Sequence, residues 1–350
     1  MQLSKAQARA DRNERPAALS PVRGAGRSPA ARVSAKDCVP LHSFFRSHAA
    51  AYILLPTAAA CWSGNHIIAR AIAGIVPPAS LSVVRWLVVA LILGLVGPHL
   101  LIADWRKLKA KIGALTFLAL IGGAAFGTLQ YVALQYTTAI NMGVVGSVSP
   151  AFIVAASFLL FGDRMSLRQL LGVAVSLIGV LAIVTQLQPD LLLNLSFNGG
   201  DLMILANMVL WSIYSACLRL RPEVHALSFL FVLAVISAIA NVPFAAWEYA
   251  VGYRLQATEA ALGAILYAVL FTTLLAFVCW NRGIELIGAP RAGAFLHTIP
   301  LFSAGLATSL LGESLQLYHV AGFALILAGV TLAARPASQQ RQPALPDARV

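Results

Sequence analysis

Arg85 is the residue whose type and place most require a chemical explanation. It stands about seven residues into an apolar run that begins near residue 79, roughly 10 Å along a helix at 1.5 Å per residue. A charge at that depth in hydrocarbon is costly and normally faces a cavity or a partner. Its planar donor fork suits a substrate carboxylate or phosphate. The competing role is structural: snorkelling to the interface, or tying down helix-end carbonyls. His297 could bind a solute or take up a proton, or bond as a neutral ring to a neighbouring helix. Ser147 lies 150 residues before it, and each precedes a proline by one helical turn, Pro150 and Pro300. Those prolines are expected in mid-span, each freeing the carbonyl four residues earlier, and would bend a helix as a gate or as a fixed kink. Trp62, Asn65, Trp211, Ser212 and Tyr214, with Gln130, Tyr131 and Trp280, could line an amphipathic pocket; each aromatic could equally be ordinary packing. His66 has the same status as His297.

No set of residues suggests catalysis or a cofactor. There is no HExxH, GxSxG or phosphate-binding loop, and no acidic pair within a span. The four cysteines, Cys38, Cys61, Cys217 and Cys279, lack CxxC spacing, and the seven histidines are scattered, so no metal site is expected. Every Asp and Glu falls in a tail, a loop or a span end. Proton coupling would therefore rest on a histidine or on the solute, which favours facilitated export or exchange over a strong proton pump.

The elements that must position these residues follow from composition. Of 350 residues, 59% are hydrophobic and 11% charged, whereas soluble domains carry about 25% charged residues. Lipid must be part of the solvent. Ten apolar runs approach the 20 or so residues that a bilayer needs: 49–70, 79–100, 112–134, 139–161, 167–186, 201–218, 226–247, 260–281, 289–311 and 317–334. The expected fold is an all-α integral membrane protein. Net charge is +12, but no basic stripe with interleaved aromatics is present, so nucleic acid is not an expected partner. With the N-terminus in the cytoplasm, 22 of 25 Lys and Arg fall inside and only Arg70 and Arg254 outside, which places both termini in the cytoplasm. Trp105 and Trp247 read as interface anchors. Residues 1–48, with nine basic residues and no apolar run, read as a disordered cytoplasmic tail, and 336–350 as a second tail.

The chain repeats itself. Across 139–180 a shift of 150 gives 12 identities in 42 positions, among them Gly143/Gly293, Pro150/Pro300, Gly172/Gly322 and Gly179/Gly329. The acidic turn Gly162-Asp163 recurs as Gly312-Glu313. A shift of 149 matches Trp62-Ser63 with Trp211-Ser212 and Arg70 with Arg219. The repeats span 49–187 and 198–335 with five helices each, and an odd number forces them into opposite orientations. Inverted repeats of this kind place a substrate site near the midplane between them and suit alternating access. A small-residue stripe at Gly143, Ser147, Ala151 and Ala155 would pack within one protomer or between two copies in a homodimer.

With these features the sequence resembles the EamA-type transporters of the drug/metabolite transporter superfamily. The resemblance rests on the two five-helix repeats, on Cys61-Trp62-Ser63-Gly64-Asn65 in the first helix, and on Pro77-Pro78 followed by Val84-Arg85-Trp86 in the second, and covers about 49–335. It implies a multi-pass carrier of the inner (plasma) membrane exporting small metabolites, with amino acids or amphipathic drugs first and nucleotide sugars or other phosphorylated metabolites as the alternative. A channel, a receptor or an intramembrane enzyme are the competing classes.

Overall fold

The computed structural model describes residues 47–137, 145–188, 190, 199–311 and 317–334. The two tails, Cys38, Gly143 and the Gly312-Glu313 turn lie outside them. The described chain is helical throughout. The first repeat holds α1 (His48–Ala71), α2 (Pro78–Val96), α3 (Pro98–Ala110), α4 (Ile112–Tyr136), α5 (Ser149–Phe161) and α6 (Leu167–Val184). The second holds α7 (Gly199–Cys217), α8 (Ala226–Ala250), α9 (Glu259–Ile287), α10 (Ala289–Gly293), α11 (Ile299–Leu311) and α12 (Leu317–Ala334). Helix occupies each of the ten apolar runs. Five segments are long and apolar enough to cross a bilayer by themselves: α2, α4, α7 with its 3₁₀ extension, α8 and α9.

Local sequence sets the boundaries. Pro78 opens α2, where its missing N–H has no intrahelical partner to lose. Ser166 and Gln169 form a reciprocal capping box at the start of α6. Gly162, at φ +72°, closes α5 in the left-handed conformation that glycine adopts without a Cβ penalty. One connection differs from its expected form. Residues 101–111 lie between two apolar runs and carry four basic residues, yet Gly97 and Pro98 end α2 and start a new helix, α3. Leu101, Asp104 and Leu108 face inward at helical spacing, while Ile102, Trp105 and Lys109 are exposed.

The contacts obey the repeat. Helix α1 packs on α9 as its counterpart α7 packs on α4, and α11 packs on α1 as α5 packs on α7. The pairs α2–α8 and α6–α12 each join a helix to its own counterpart. Both run antiparallel. Gly172 meets the backbone at Gly329 and Ala333, and Gly179 meets Gly322 and Ile326. Each glycine of α6 thus faces the repeat equivalent of the other, as a two-fold axis between inverted copies requires. Small residues allow this backbone approach where lipid supplies no hydrophobic drive between helices. In the stripe on α5, Ser147 is buried, whereas Ala151 and Ala155 are exposed.

Carboxylates cap the α2–α8 pair from both ends. Glu248, near the end of α8 and 6% exposed, accepts from Ala79 N, Ser80 N and Ser80 Oγ, each at 2.8 Å. At the other end Asp104 accepts from His225 N at 2.9 Å. Glu248→Ala strands one buried and one half-buried N–H donor of α2, and a loss of about 1–3 kcal/mol is expected, to be read from thermal unfolding of the purified protein in detergent. Trp105 and Trp247 are exposed, Trp247 in the last turn of α8 and Trp105 in the middle of α3 rather than at a span end, and Cys61, Cys217 and Cys279 are buried free thiols.

Candidate functional site

Two π-helical segments, Ala119–Ala125 in α4 and Ala268–Leu275 in α9, occupy equivalent places in the repeats. A π turn interrupts the i to i−4 ladder, and such turns recur at functional sites. The first carbonyl of each accepts a hydroxyl: Ala119 O from Ser237 at 3.1 Å, Ala268 O from Thr273 at 2.7 Å. Two indoles bond to the same segments, Trp86 Nε1 to Gly123 O at 3.2 Å and Trp62 Nε1 to Thr272 O at 3.3 Å. The π segments therefore fix the aromatic side chains beside them. Pro150 and Pro300 do not interrupt the middle of an α-helical segment, although the helical stretch through Pro300 is unbroken over 289–311 and only changes from 3₁₀ to α just before it. Pro150 stands in the first turn of α5 and Pro300 is the second residue of α11, after a 3₁₀ segment at Ala294–Thr298. Proline is tolerated there because the first-turn N–H groups have no partner in any case.

Between these elements lies a cavity of about 550 Å³. Its lining reaches the end of the bundle that carries Ile67, Arg70, Leu134, Gln186 and Tyr318, and stops short of the opposite end. There Arg219 pairs with Asp163 across the two repeats, and Glu285 pairs with Arg221 and Arg282 at 2.6 Å each. One wall is aromatic. Trp62 and Trp211, repeat counterparts, meet edge to face with centroids 5.1 Å apart, and Phe126, Phe277 and Trp86 extend the cluster.

Arg85 lies where this wall meets the polar one. It is 3% exposed, with Cζ 5.0 Å from the Trp86 ring centroid and 5.4 Å from that of Tyr131. Among the described residues its one direct hydrogen bond is long, Nη1 to Tyr131 Oη at 3.4 Å; that hydroxyl donates to Asn65 Oδ1 at 2.8 Å. Nε has no partner, and among the described residues no carboxylate pairs with the guanidinium. Gly127 makes room for it, since a Cβ there would collide with Arg85 Nη2. Gly127→Ala is expected to push the guanidinium aside and slow transport on the order of 10–100-fold. Flux and thermal unfolding measured together check this, the fold staying intact because the displaced group is the far end of a flexible side chain.

His297, 1% exposed, joins the repeats at the pseudo-two-fold axis. Its Nε2 lies 2.9 Å from the carbonyl of Ser147, its own counterpart, and so donates to it. Its Nδ1 lies 2.5 Å from Ser176 Oγ, which also lies 3.0 Å from Val173 O. A neutral ring takes the Ser176 proton at Nδ1, whereas a charged ring donates to Ser176, which then turns to Val173. Both protonation states are satisfied without moving the backbone. His66 Nε2 contacts Gln130 Nε2 at 2.8 Å in the opposite wall.

The EamA-like transporter family model matches residues 49–185 and 198–335, both repeats. The chain belongs to the EamA-like transporter family. Relatives are named as transporters. The uncharacterized transporter YyaM of Bacillus subtilis is 26% identical over 246 residues, 65% of this chain and 75% of its own. An uncharacterized transporter of Archaeoglobus fulgidus is 26% identical over 293 residues, 80% of this chain and 96% of its own. The inner membrane transporter YicL of Salmonella typhimurium, also uncharacterized, is 28% identical over 239 residues, 64% and 74% of the two chains. A solved crystal structure superposes with a TM-score of 0.63 at 21% identity, over 81% of this chain and 96% of that one. The family and the apolar helices make this a multi-pass membrane protein of the transporter class.

Within this EamA protein the cavity gathers Trp62, Arg85, Gln130, Ser147, Trp211, His297 and Pro300, together with His66 and Ser149. Asn65, Tyr214 and Pro150 are not in its lining. Asn65 acts one layer back, through Tyr131. Tyr214 fills the space beside Gly122 and donates to Asn281 Oδ1 at 2.9 Å. Pro150 is buried at the helix start. Arg70, Thr272, Gln186 and Tyr318 join the lining without having been singled out for it. Arg70 carried a signal, its register match to Arg219. The glycines of Gly122-Gly123-x-x-x-Gly127 carried one too, since small residues at helical spacing mark a close approach. Among the described residues no group of three His, Cys, Asp or Glu could hold a metal ion.

Proposed function

We propose that this protein is a secondary transporter that exports small, partly polar metabolites across the inner membrane by alternating access, with both termini in the cytoplasm. The observation that carries the reading is one cavity on the axis between inverted repeats, reaching one end of the bundle only, with Arg85 in its wall, its Nε unbonded and no carboxylate paired with it among the described residues. Inverted copies make the opposite opening available by exchanging the conformations of the two halves. With the basic residues inside, the end bearing Arg70 faces outward and the ion-paired end faces the cytoplasm. Arg85 serves as the recognition point for an acidic group on the cargo, and the starts of α5 and α11 at Pro150 and Pro300 as the places where the walls move. Amino acids and amphipathic drugs are the classes the family resemblance names first.

Counterflow in proteoliposomes tests this. Purified protein is preloaded with a pool of amino acids and metabolites, and movement is scored by mass spectrometry with and without a pH gradient. Exchange of one chemical class, unaffected by the gradient, is the expected outcome and defines a facilitator. Accumulation that follows the gradient would instead assign proton coupling to His66 and His297. No movement of any solute by well-folded protein would overturn the transporter reading.

A further inference from the structure

We infer that the cargo is an organic monoanion with a planar aromatic body and without an ammonium group. This rests on the transporter reading above and narrows it.

The charges of the wall are one-sided. Arg85 and Arg70 line the cavity, joined by His66 and His297, and no Asp or Glu is among the described lining residues. The two buried carboxylates of the described chain are both engaged, Asp201 by Thr137 and Glu248 by the start of α2. An ammonium group leaving water needs a partner to offset its desolvation, and the described lining supplies no carboxylate for it; the indole faces that could attract a cation stand beside Arg85, whose own charge opposes one. A zwitterionic amino acid could satisfy its carboxylate at Arg85 only by stranding its amine beside a cation. Cationic amphiphiles are disfavoured twice, by the missing carboxylate and by the arginines.

The polar atoms left open point the same way. Arg85 Nε is a buried donor without a partner, its Nη1 makes only the long bond to Tyr131, and Thr272 Oγ1 in the same lining is buried and unpartnered. A planar guanidinium with free donors asks for a carboxylate or another monoanionic oxyacid. A phosphorylated or nucleotide cargo would call for more cations. Arg85 is the single buried one, since Arg70 is exposed at the mouth and already donates to Leu134 O at 3.0 Å. The rest of the wall near Arg85 is indole and phenyl, with Trp86 against the guanidinium and Trp62, Trp211, Phe126 and Phe277 beyond it. Such a wall stacks on a ring better than it hydrogen-bonds a sugar. About 550 Å³ is in the range of pockets that enclose a small organic ligand.

The test uses a matched series on the full-length protein in proteoliposomes: phenylacetate, phenylalanine and phenethylamine, with leak through protein-free vesicles subtracted. Quenching of tryptophan fluorescence in detergent gives an independent binding readout. The expected result is phenylacetate exchange at least ~30-fold faster than phenylalanine, no exchange of phenethylamine, and the same order in quenching. Arg85→Gln should abolish the preference. Phenylalanine or phenethylamine moving as fast as phenylacetate would overturn the inference and leave the transporter reading standing. So would immobility of all three while another solute of the metabolite pool exchanges. Immobility of every solute would overturn the transporter reading and this inference with it.

Discussion

Arg85→Gln is expected to lower transport by at least about 30-fold while the protein folds as before. The two halves of that statement have different causes. Removing one member of a desolvated, hydrogen-bonded charge pair costs about 2–5 kcal/mol, and 1.4 kcal/mol is a factor of ten. If Arg85 meets the acidic group of the cargo, its loss therefore removes about 30-fold to several thousand-fold. The folded protein without cargo gains nothing comparable from the charge. Arg85 is 3% exposed, lacks a carboxylate partner among the described residues, and leaves Nε unbonded. A buried cation in that condition is a burden on stability, so glutamine should leave thermal unfolding unchanged or raise its midpoint. Arg85→Lys should fall between, because the charge survives and the planar fork does not. Counterflow rates beside thermal unfolding of the same preparations decide the matter. A folded Arg85→Gln variant with normal flux would remove Arg85 from cargo recognition. A variant that fails to fold would return it to a structural role, bracing α2 against α4 through Tyr131.

How far the sequence reveals this arrangement depends on the kind of signal each element carries. Apolar runs mark every helix except α3, because the need to satisfy backbone groups in lipid leaves little other choice. The repeat marks the two-fold axis, and the register of Gly172/Gly322 and Gly179/Gly329 even marks which helices meet at it. The π segments were not legible. They depend on where Ser237, Thr273 and the indoles of Trp62 and Trp86 find carbonyls, a tertiary property with no local code. The same cause explains the prolines. Periodicity places Pro150 and Pro300 within apolar stretches, but only the surrounding structure decides whether a helix bends at a proline or begins there. Amphipathic α3 was hidden by its lysines, although Leu101, Asp104 and Leu108 carried the helical spacing. Within the cavity, residue type was a fair guide to polarity and a poor guide to facing. Trp211 and Tyr214 sit three apart on α7 and stack at 5.2 Å, yet only Trp211 belongs to the lining.

The other large effect belongs to the helix pair that holds the repeats together. Gly172→Val should prevent stable assembly of the fold, at a cost of about 3 kcal/mol or more. A Cβ on residue 172 would come within 2.5 Å of Ala333 N, 2.7 Å of Gly329 O and 2.8 Å of Ala333 Cα. Those atoms are backbone, so no rotamer change relieves the overlap and α6 and α12 must separate along their length. Separation also strains the Ser176–His297 contact, since Ser176 is one turn from Gly172 on α6. Gly329→Val on the facing helix should act alike, since a Cβ there would come within 2.4 Å of Ser176 N and 2.5 Å of Gly172 O, and the double variant should cost less than the sum, because either substitution alone already parts the helices. Gly263→Ala serves as the control. It lies within α9, a Cβ there meets nothing within 4 Å, and replacing a helical glycine by alanine gains about 0.5–1 kcal/mol. Size-exclusion profiles after graded heating in detergent separate these outcomes. A monodisperse Gly172→Val protein with wild-type thermal resistance would mean that α6 and α12 are not in backbone contact, and the two-fold axis drawn through them would have to be abandoned.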